Sequence, residues 1–99
     1  MIKRIVRLTF REAEVETFRA LFERTKTNIR HFPGCLHLEL LQAADQPNVF
    51  FTWSYWENAA ALEAYRHSDL FKETWQQTKV LFADKPYAQS LIVASTTNP

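Results

Sequence analysis

At 99 residues the chain has room for one small domain, and twelve Lys and Arg against eleven Asp and Glu leave a net charge of +1. That mixed, near-neutral balance lacks the electrostatic footprint of a DNA- or RNA-binding surface, and no apolar run is long enough to span a membrane. A single glycine excludes phosphate loops, dinucleotide fingerprints and the glycine-flanked serine elbow, each of which needs several close-approach backbone positions; a single cysteine, Cys35, excludes an intrachain disulfide and suits a reducing cytoplasm.

Residues 2 to 10, IKRIVRLTF, alternate as a strand does. Ile2, Val6, Leu8 and Phe10 share one face, interrupted by Arg4, while Lys3, Ile5, Arg7 and Thr9 share a more polar one. The start of this stretch is too short and too alternating for a signal peptide. Over 12 to 32 the period changes to three and four, and Val15, Phe18, Phe22, Thr25, Ile29 and Phe32 form the stripe of a helix lying on a core. Glutamates at 12, 14 and 16 and the basic Lys26, Arg30 and His31 sit at the ends that suit the helix dipole, and Pro33-Gly34 stops the helix.

Residues 35 to 42, CLHLELLQ, alternate again, with Leu36, Leu38 and Leu40 as an apolar face and Cys35, His37, Glu39 and Leu41 as a mixed one. The turn AADQPN leads to a second strand, Val49 to Trp56, close enough to pair as a hairpin. Both its faces carry bulk: Phe51, Trp53 and Tyr55 on one side, Phe50, Thr52, Ser54 and Trp56 on the other. Asn58 caps a helix from Ala59 to about Arg66, His67-Ser68 breaks or bends it, and Phe71, Trp75, Thr78 and Phe82 continue a helical stripe. Tyr87 to Ser95 reads as a last strand, and residues 96–99 as a frayed polar tail to a domain of residues 1–95.

The order strand, helix, strand, strand, helix, strand predicts an α+β fold, a ferredoxin-like βαββαβ with a four-stranded antiparallel sheet and helices on one face. The uncovered face would hold Ile5, Phe51, Trp53 and Tyr55 among Arg7, His37 and Glu39, too apolar to be left in water. With no element left to cover it, a second copy is the simplest cover, so the chain is expected to form a two-fold homodimer through the open sheet face.

Phe32-Pro33-Gly34 ahead of a strand and Trp56-Glu57-Asn58 opening a helix resemble the antibiotic biosynthesis monooxygenase superfamily, as do Leu62-Glu63-Ala64-Tyr65, Ser68 and Phe71-Lys72. The resemblance runs from 2 to 95 and implies a dimeric α+β barrel, similar to the quinol monooxygenases. In the polyketide oxygenases of the superfamily a tryptophan ends the third strand and lines the pocket, where this chain has Trp56, and an asparagine four residues earlier corresponds to Thr52. In heme-degrading members an asparagine, a tryptophan and a histidine do the work; Val6, Tyr65 and Trp75 stand there instead, so heme chemistry is not implied and no cofactor is expected. Quinol monooxygenases often carry histidine at the position of Tyr65, and tyrosine keeps a hydrogen-bond donor while removing a base active at neutral pH.

Two readings attach to each candidate. Trp56 is either a donor to a substrate oxygen or a large plug where strand meets helix, its N–H bonded to backbone; the plug weighs more, because large aromatics dominate small cores. Tyr65 is balanced between phenolic donor and core residue, and Trp75 leans to packing over a stacking wall. His31, His37 and His67 show no ligand spacing for a metal, and His37 alternates away from the presumed pocket. Cys35 has no base beside it in sequence and reads as an inert, partly buried thiol.

The resemblance thus implies a cofactor-independent monooxygenase acting on a small aromatic, phenolic or quinol substrate, with Trp56 and Tyr65 as catalytic residues and Thr52 and Trp75 binding substrate. The alternative is a non-catalytic small-molecule-binding or regulatory protein of the same fold. An RNA-recognition reading of the aromatic third strand fails on its missing glycines and basic residues.

Overall fold

In the computed structural model, which describes residues 1–98, the opening alternation forms β1 (Ile2–Thr9), with Phe10 adding one isolated bridge to Phe82. A 3-10 turn (Glu12–Glu14) leads into α1 (Val15–Arg30), then β2 (Cys35–Gln42), β3 (Val49–Trp56), α2 (Ala59–Arg66), α3 (Asp69–Lys79) and β4 (Tyr87–Leu91). The strands are antiparallel in the order β2-β3-β1-β4, the ferredoxin-like α+β arrangement. Of the tail expected over 96–99, Pro99 lies outside the described residues.

Side-chain chemistry sets the breaks. The Asn58 carboxamide oxygen accepts from Ala61 N at 2.8 Å and starts α2. Ser68 then does two things at once. Its hydroxyl donates to the Tyr65 carbonyl at 2.6 Å, closing α2, and accepts from Phe71 N at 3.1 Å, opening α3. Of the break or bend expected at His67-Ser68, the structure has the break, between two separate helices.

The turn before β2 is locked to the start of α2. Gly34 has φ +89°, a left-handed angle that costs other residues heavily, and its carbonyl accepts from Glu57 N at 2.8 Å. A Cβ built on Gly34 would collide with the Cβ of Ala61, so the close approach of turn and helix requires glycine.

Two expectations need correction. Leu36 does not join Leu38 and Leu40 on an inner face: a β-bulge between Cys35 and His37 pairs Cys35 with Trp56 and His37 with Tyr55, leaving Leu36 as the extra residue, 47% exposed. The bulge reverses the parity of what precedes it, so Cys35 turns inward and is 5% exposed rather than partly buried beside His37. The last strand is also shorter than 87 to 95. Pairing with β1 ends at Leu91, opposite Lys3, and Ile92 is 77% exposed.

The inner face of the sheet packs under the helices as two clusters. One joins Leu8, Phe10, Phe18, Phe50 and Leu81, with Phe10 and Phe18 rings 4.1 Å apart. The other joins Cys35, Trp56 and Leu62, with Phe32 and Tyr65 packed against it. Leu21 of α1 is buried as well, a member of the helical stripe that the three-and-four spacing left out. On the outer face Phe51, Trp53 and Tyr55 stay partly exposed, and no described element of the chain covers them. That face is internally bonded: Trp53 Nε1 donates to the Tyr55 hydroxyl at 3.1 Å, the His37 ring lies 4.7 Å from that of Tyr55 and 3.1 Å from a Glu39 oxygen, and Lys3 Nζ sits 4.6 Å from the Tyr55 ring centre.

Candidate functional site

Between the two clusters lies a partly open cavity of about 360 Å³, walled by members of both and by every strand and helix of the chain. The size is at the lower end for small-molecule sites, which run to about 300–1,000 Å³. Trp56, Tyr65, Thr52 and Trp75, the residues singled out through the family resemblance, all line this one space. Strand parity accounts for the first and last of the β3 pair, since Thr52, Ser54 and Trp56 alternate onto the inner face. Tyr65 arrives from α2 and Trp75 from α3.

Trp56 is 1% exposed. Its ring stacks on Tyr65 at 4.9 Å and 26°, and meets Phe32 edge-on at 6.4 Å. The indole N–H donates to Ser54 Oγ at 3.0 Å, a side-chain partner two residues back on the same strand face rather than the backbone group expected. A ligand near Trp56 would therefore meet Ser54, whose own hydroxyl hydrogen remains to be given. Trp75 stacks on Phe71 at 5.9 Å and 8° and meets Phe82 edge-on at 5.6 Å, forming an aromatic wall.

The polar atoms of the cavity divide into spent and available. Thr25 donates to the Leu21 carbonyl at 3.0 Å and Thr78 to the Thr74 carbonyl at 2.7 Å, so both hydroxyl donors are committed to their helices. Among the described residues no protein hydrogen bond engages the Tyr65 hydroxyl, the Thr52 hydroxyl or the Trp75 N–H, and none of these is a sealed, unsatisfied atom. They are the donors a ligand could use.

Titratable lining is sparse: among the described residues, only Arg4, Tyr65 and Arg66. Burial pushes the Tyr65 phenol well above its ordinary value of 10.0, reinforced only at alkaline pH by the charge of an ionised Cys35, so it stays a neutral donor throughout the physiological range. Burial likewise raises the Cys35 thiol above 9.0, against smaller opposing effects of the His37 backbone and of Arg30. The thiol is thus held protonated, unlike an activated nucleophile. No group of three or more His, Cys, Asp and Glu side chains converges among the described residues, and no described helix is long and apolar enough to cross a membrane.

The Tyr65 shift has a consequence for stability. The folded protein holds the phenolic proton more tightly than the unfolded chain, so this contribution is complete below pH 10.0 and declines as pH rises past that value toward the folded one. Tyr65→Phe is expected to move the midpoint of alkaline unfolding to higher pH, read by circular dichroism between about pH 9 and 12. Equal midpoints for the two proteins would remove Tyr65 as a source of alkaline lability.

Sequence reasoning passed over Arg4, Ser54 and Arg66. Arg4 had a signal: one charge on the otherwise apolar face of β1. Ser54 shared the parity of Thr52 and Trp56, and only the indole bond reveals its use. Arg66 gave no signal distinct from an exposed helix end.

The family model of antibiotic biosynthesis monooxygenases matches residues 1–77. Solved structures of similar fold include an antibiotic biosynthesis monooxygenase at 17% identity and TM-score 0.90, covering 96% of this chain and 100% of the other. A protein from Mycobacterium tuberculosis is 21% identical with TM-score 0.88, covering 98% of each chain. One from Pseudomonas aeruginosa is 19% identical with TM-score 0.84, covering 95% of this chain and 94% of its own. Identities this low speak for the fold and not for the chemistry. No curated protein sequence matches significantly.

Proposed function

The chain belongs to the antibiotic biosynthesis monooxygenase family, and from that premise we propose that it is a cytoplasmic, cofactor-independent monooxygenase of a small aromatic phenol or quinol. The observation that carries this reading is one apolar cavity with Trp56, Tyr65, Thr52 and Trp75 all in its wall. Trp75 and Phe71 offer a flat surface to an aromatic ring. Tyr65, neutral and without a hydrogen-bond partner among the described residues, donates to a substrate oxygen; Thr52 supplies a second donor, and Trp56 acts with Ser54 as the polar pair beside it.

The substrate is its own reductant. An activated CH₂ next to the ring loses a proton, the carbanion passes electrons to O₂, and the resulting carbon-bound peroxide loses water. R₂CH₂ + O₂ becomes R₂C=O + H₂O, with four electrons leaving carbon and four reducing oxygen. The protein contributes water exclusion and hydrogen bonds to the oxyanion that develops on the ring.

The absence of a side-chain base at neutral pH from the described cavity lining gives weight to a second reading, a non-catalytic binder of the same ligands. Oxygen consumption separates the two. With a panel of anthrone-like and naphthoquinol substrates, uptake above the autoxidation rate is expected for the wild type, falling about a hundred- to a thousandfold in Tyr65→Phe, the usual scale for one donor to developing charge. No uptake above background across the panel, alongside measurable ligand binding, would select the binder.

A further inference from the structure

Arg4 is out of place for a core strand. It stands on the inner face of β1, opposite Ser54 of β3 and Ser90 of β4 in register, so its stem rises from the cavity floor beside the Trp56–Ser54 pair. Cross-strand neighbours on one face lie roughly 4.5–5.5 Å apart at Cβ, which brings Thr52 and Trp56 within reach on the diagonals. Its guanidinium spends one hydrogen bond on Ser90 Oγ at 2.9 Å. Five donors in a planar fork leave most of the group's capacity unused.

What Arg4 lacks is an anion. Among the described residues each ion pair lies elsewhere: Arg11 with Glu14, Lys26 with Glu23, His37 with Glu39, and Arg66 and His67 with Glu63. Arg66, at the rim of the same cavity, is the second cation there, and its Nη1 is held by Glu63 at 2.9 Å. An apolar pocket whose wall carries the Arg4 guanidinium on its β4 side, without an ion-pair partner among the described residues, and Arg66 at its edge has a positive end and an aromatic end.

We propose that Arg4, with Arg66 at the rim, forms an anion subsite, and that the natural ligand is an aromatic carboxylate whose ring lies toward Trp75 and Phe71. The carboxylate would take the planar fork of Arg4 in two parallel bonds. The electrostatics agree with the geometry. Burial first, and then the charge of Arg66, disfavour the Arg4 cation, only partly offset by Glu63. A guanidinium does not give up its proton under such pressure, so an arriving anion relieves it. The inference shares with the proposed function only the cavity; it names the charge of the ligand, and a binder or an enzyme would need it equally.

The test uses two ligands of nearly equal shape, 2-naphthoate and 2-naphthol, bound to the whole protein and read by titration calorimetry and by quenching of tryptophan fluorescence. Neither measurement involves oxygen, so failure of the oxidation chemistry leaves this result unaffected. Naphthoate is expected to bind about ten- to a hundredfold tighter than naphthol, the scale of one charge-assisted bidentate pair. Arg4→Gln should abolish that preference, Arg4→Lys should keep part of it, and Arg66→Gln should reduce it less than Arg4→Gln does. Circular dichroism establishes that each variant is folded. If Arg4→Gln fails to fold, the Arg4→Lys result and a fall in the preference with added salt carry the decision. Equal affinities in the wild type, a preference that survives loss of Arg4, or binding of neither probe would overturn the proposal.

Discussion

Replacing Trp56 with alanine is expected to cost about 3–5 kcal/mol, the range for removing a large aromatic from a core. Small domains have about 5–15 kcal/mol in total, so the loss takes a large share of it. The reasons are particular to the site. Trp56 is 1% exposed, stacks on Tyr65 at 4.9 Å, meets Phe32 edge-on, and shares a cluster with Cys35 and Leu62. Because the cavity already lies on its other side, truncation enlarges an existing space instead of opening one that neighbours can collapse into. Ser54 Oγ also loses its donor. At roughly 4–8 °C per kcal/mol for a chain of this size, the melting temperature should fall by well over 10 °C. Trp56→Phe keeps an aromatic ring against Tyr65 but removes the N–H and one ring of the indole, so a smaller loss of about 2–3 kcal/mol is expected. Urea unfolding of both variants checks the pair of numbers. A loss below about 1 kcal/mol for the alanine variant would show that this aromatic stack is not what ties the sheet to α2.

The same residue shows where sequence legibility ends. That Trp56 is large, apolar and at the junction of strand and helix follows from alternation in β3 and from Asn58 as a cap. That its N–H goes to Ser54 does not follow, because a side-chain bond between positions two apart depends on rotamers and not on period. The fold's elements were readable because each had a local cause: the glutamates and Pro33-Gly34 bounding α1, Asn58 capping α2, and His67-Ser68 interrupting the helical run, although the cap that Ser68 gives α3 was not read. The bulge at Leu36 had no such mark. CLHLELLQ alternates without interruption on paper, and only the close approach of Gly34 to Ala61 and Glu57 sets where its first residue must lie. One extra residue then sends Cys35 inward beside Trp56. Thr52 and Tyr65 could be suspected from the family pattern, whereas Arg4 could be read only as an interruption, since a charge on an apolar face does not say what it awaits.

Trp53→Arg is expected to abolish the proposed dimer while leaving the subunit folded. The outer face presents Phe51, Trp53 and Tyr55 of β3 beside Ile5 of β1, which stands opposite Trp53 in register. Covering these residues with a second copy would remove their apolar surface from water, and the charged members of the face are already provided for. His37 lies 3.1 Å from Glu39, Lys3 sits over the Tyr55 ring, and Arg7 lies 5.9 Å from the centre of the Tyr87 ring. Such contacts lower the cost of desolvation when the face closes. Trp53 is the natural anchor, its N–H fixed by Tyr55 so that little rotamer freedom is left to lose. Arginine there removes the anchor and adds a cation diagonal to Lys3 and Arg7 on the neighbouring strand. In a two-fold interface the change enters twice, so a central aromatic worth about 2 kcal/mol or more per copy becomes at least about 4 kcal/mol, roughly a thousandfold in dissociation constant. Size-exclusion with light scattering should give the wild type twice the chain mass of 11.7 kDa at micromolar concentration and the variant the single mass. Since Trp53 belongs to neither inner cluster, the variant's far-ultraviolet circular dichroism should match the wild type. A wild type that scatters as one chain would mean that the bonds among Trp53, Tyr55, His37 and Lys3 suffice to keep this face in water.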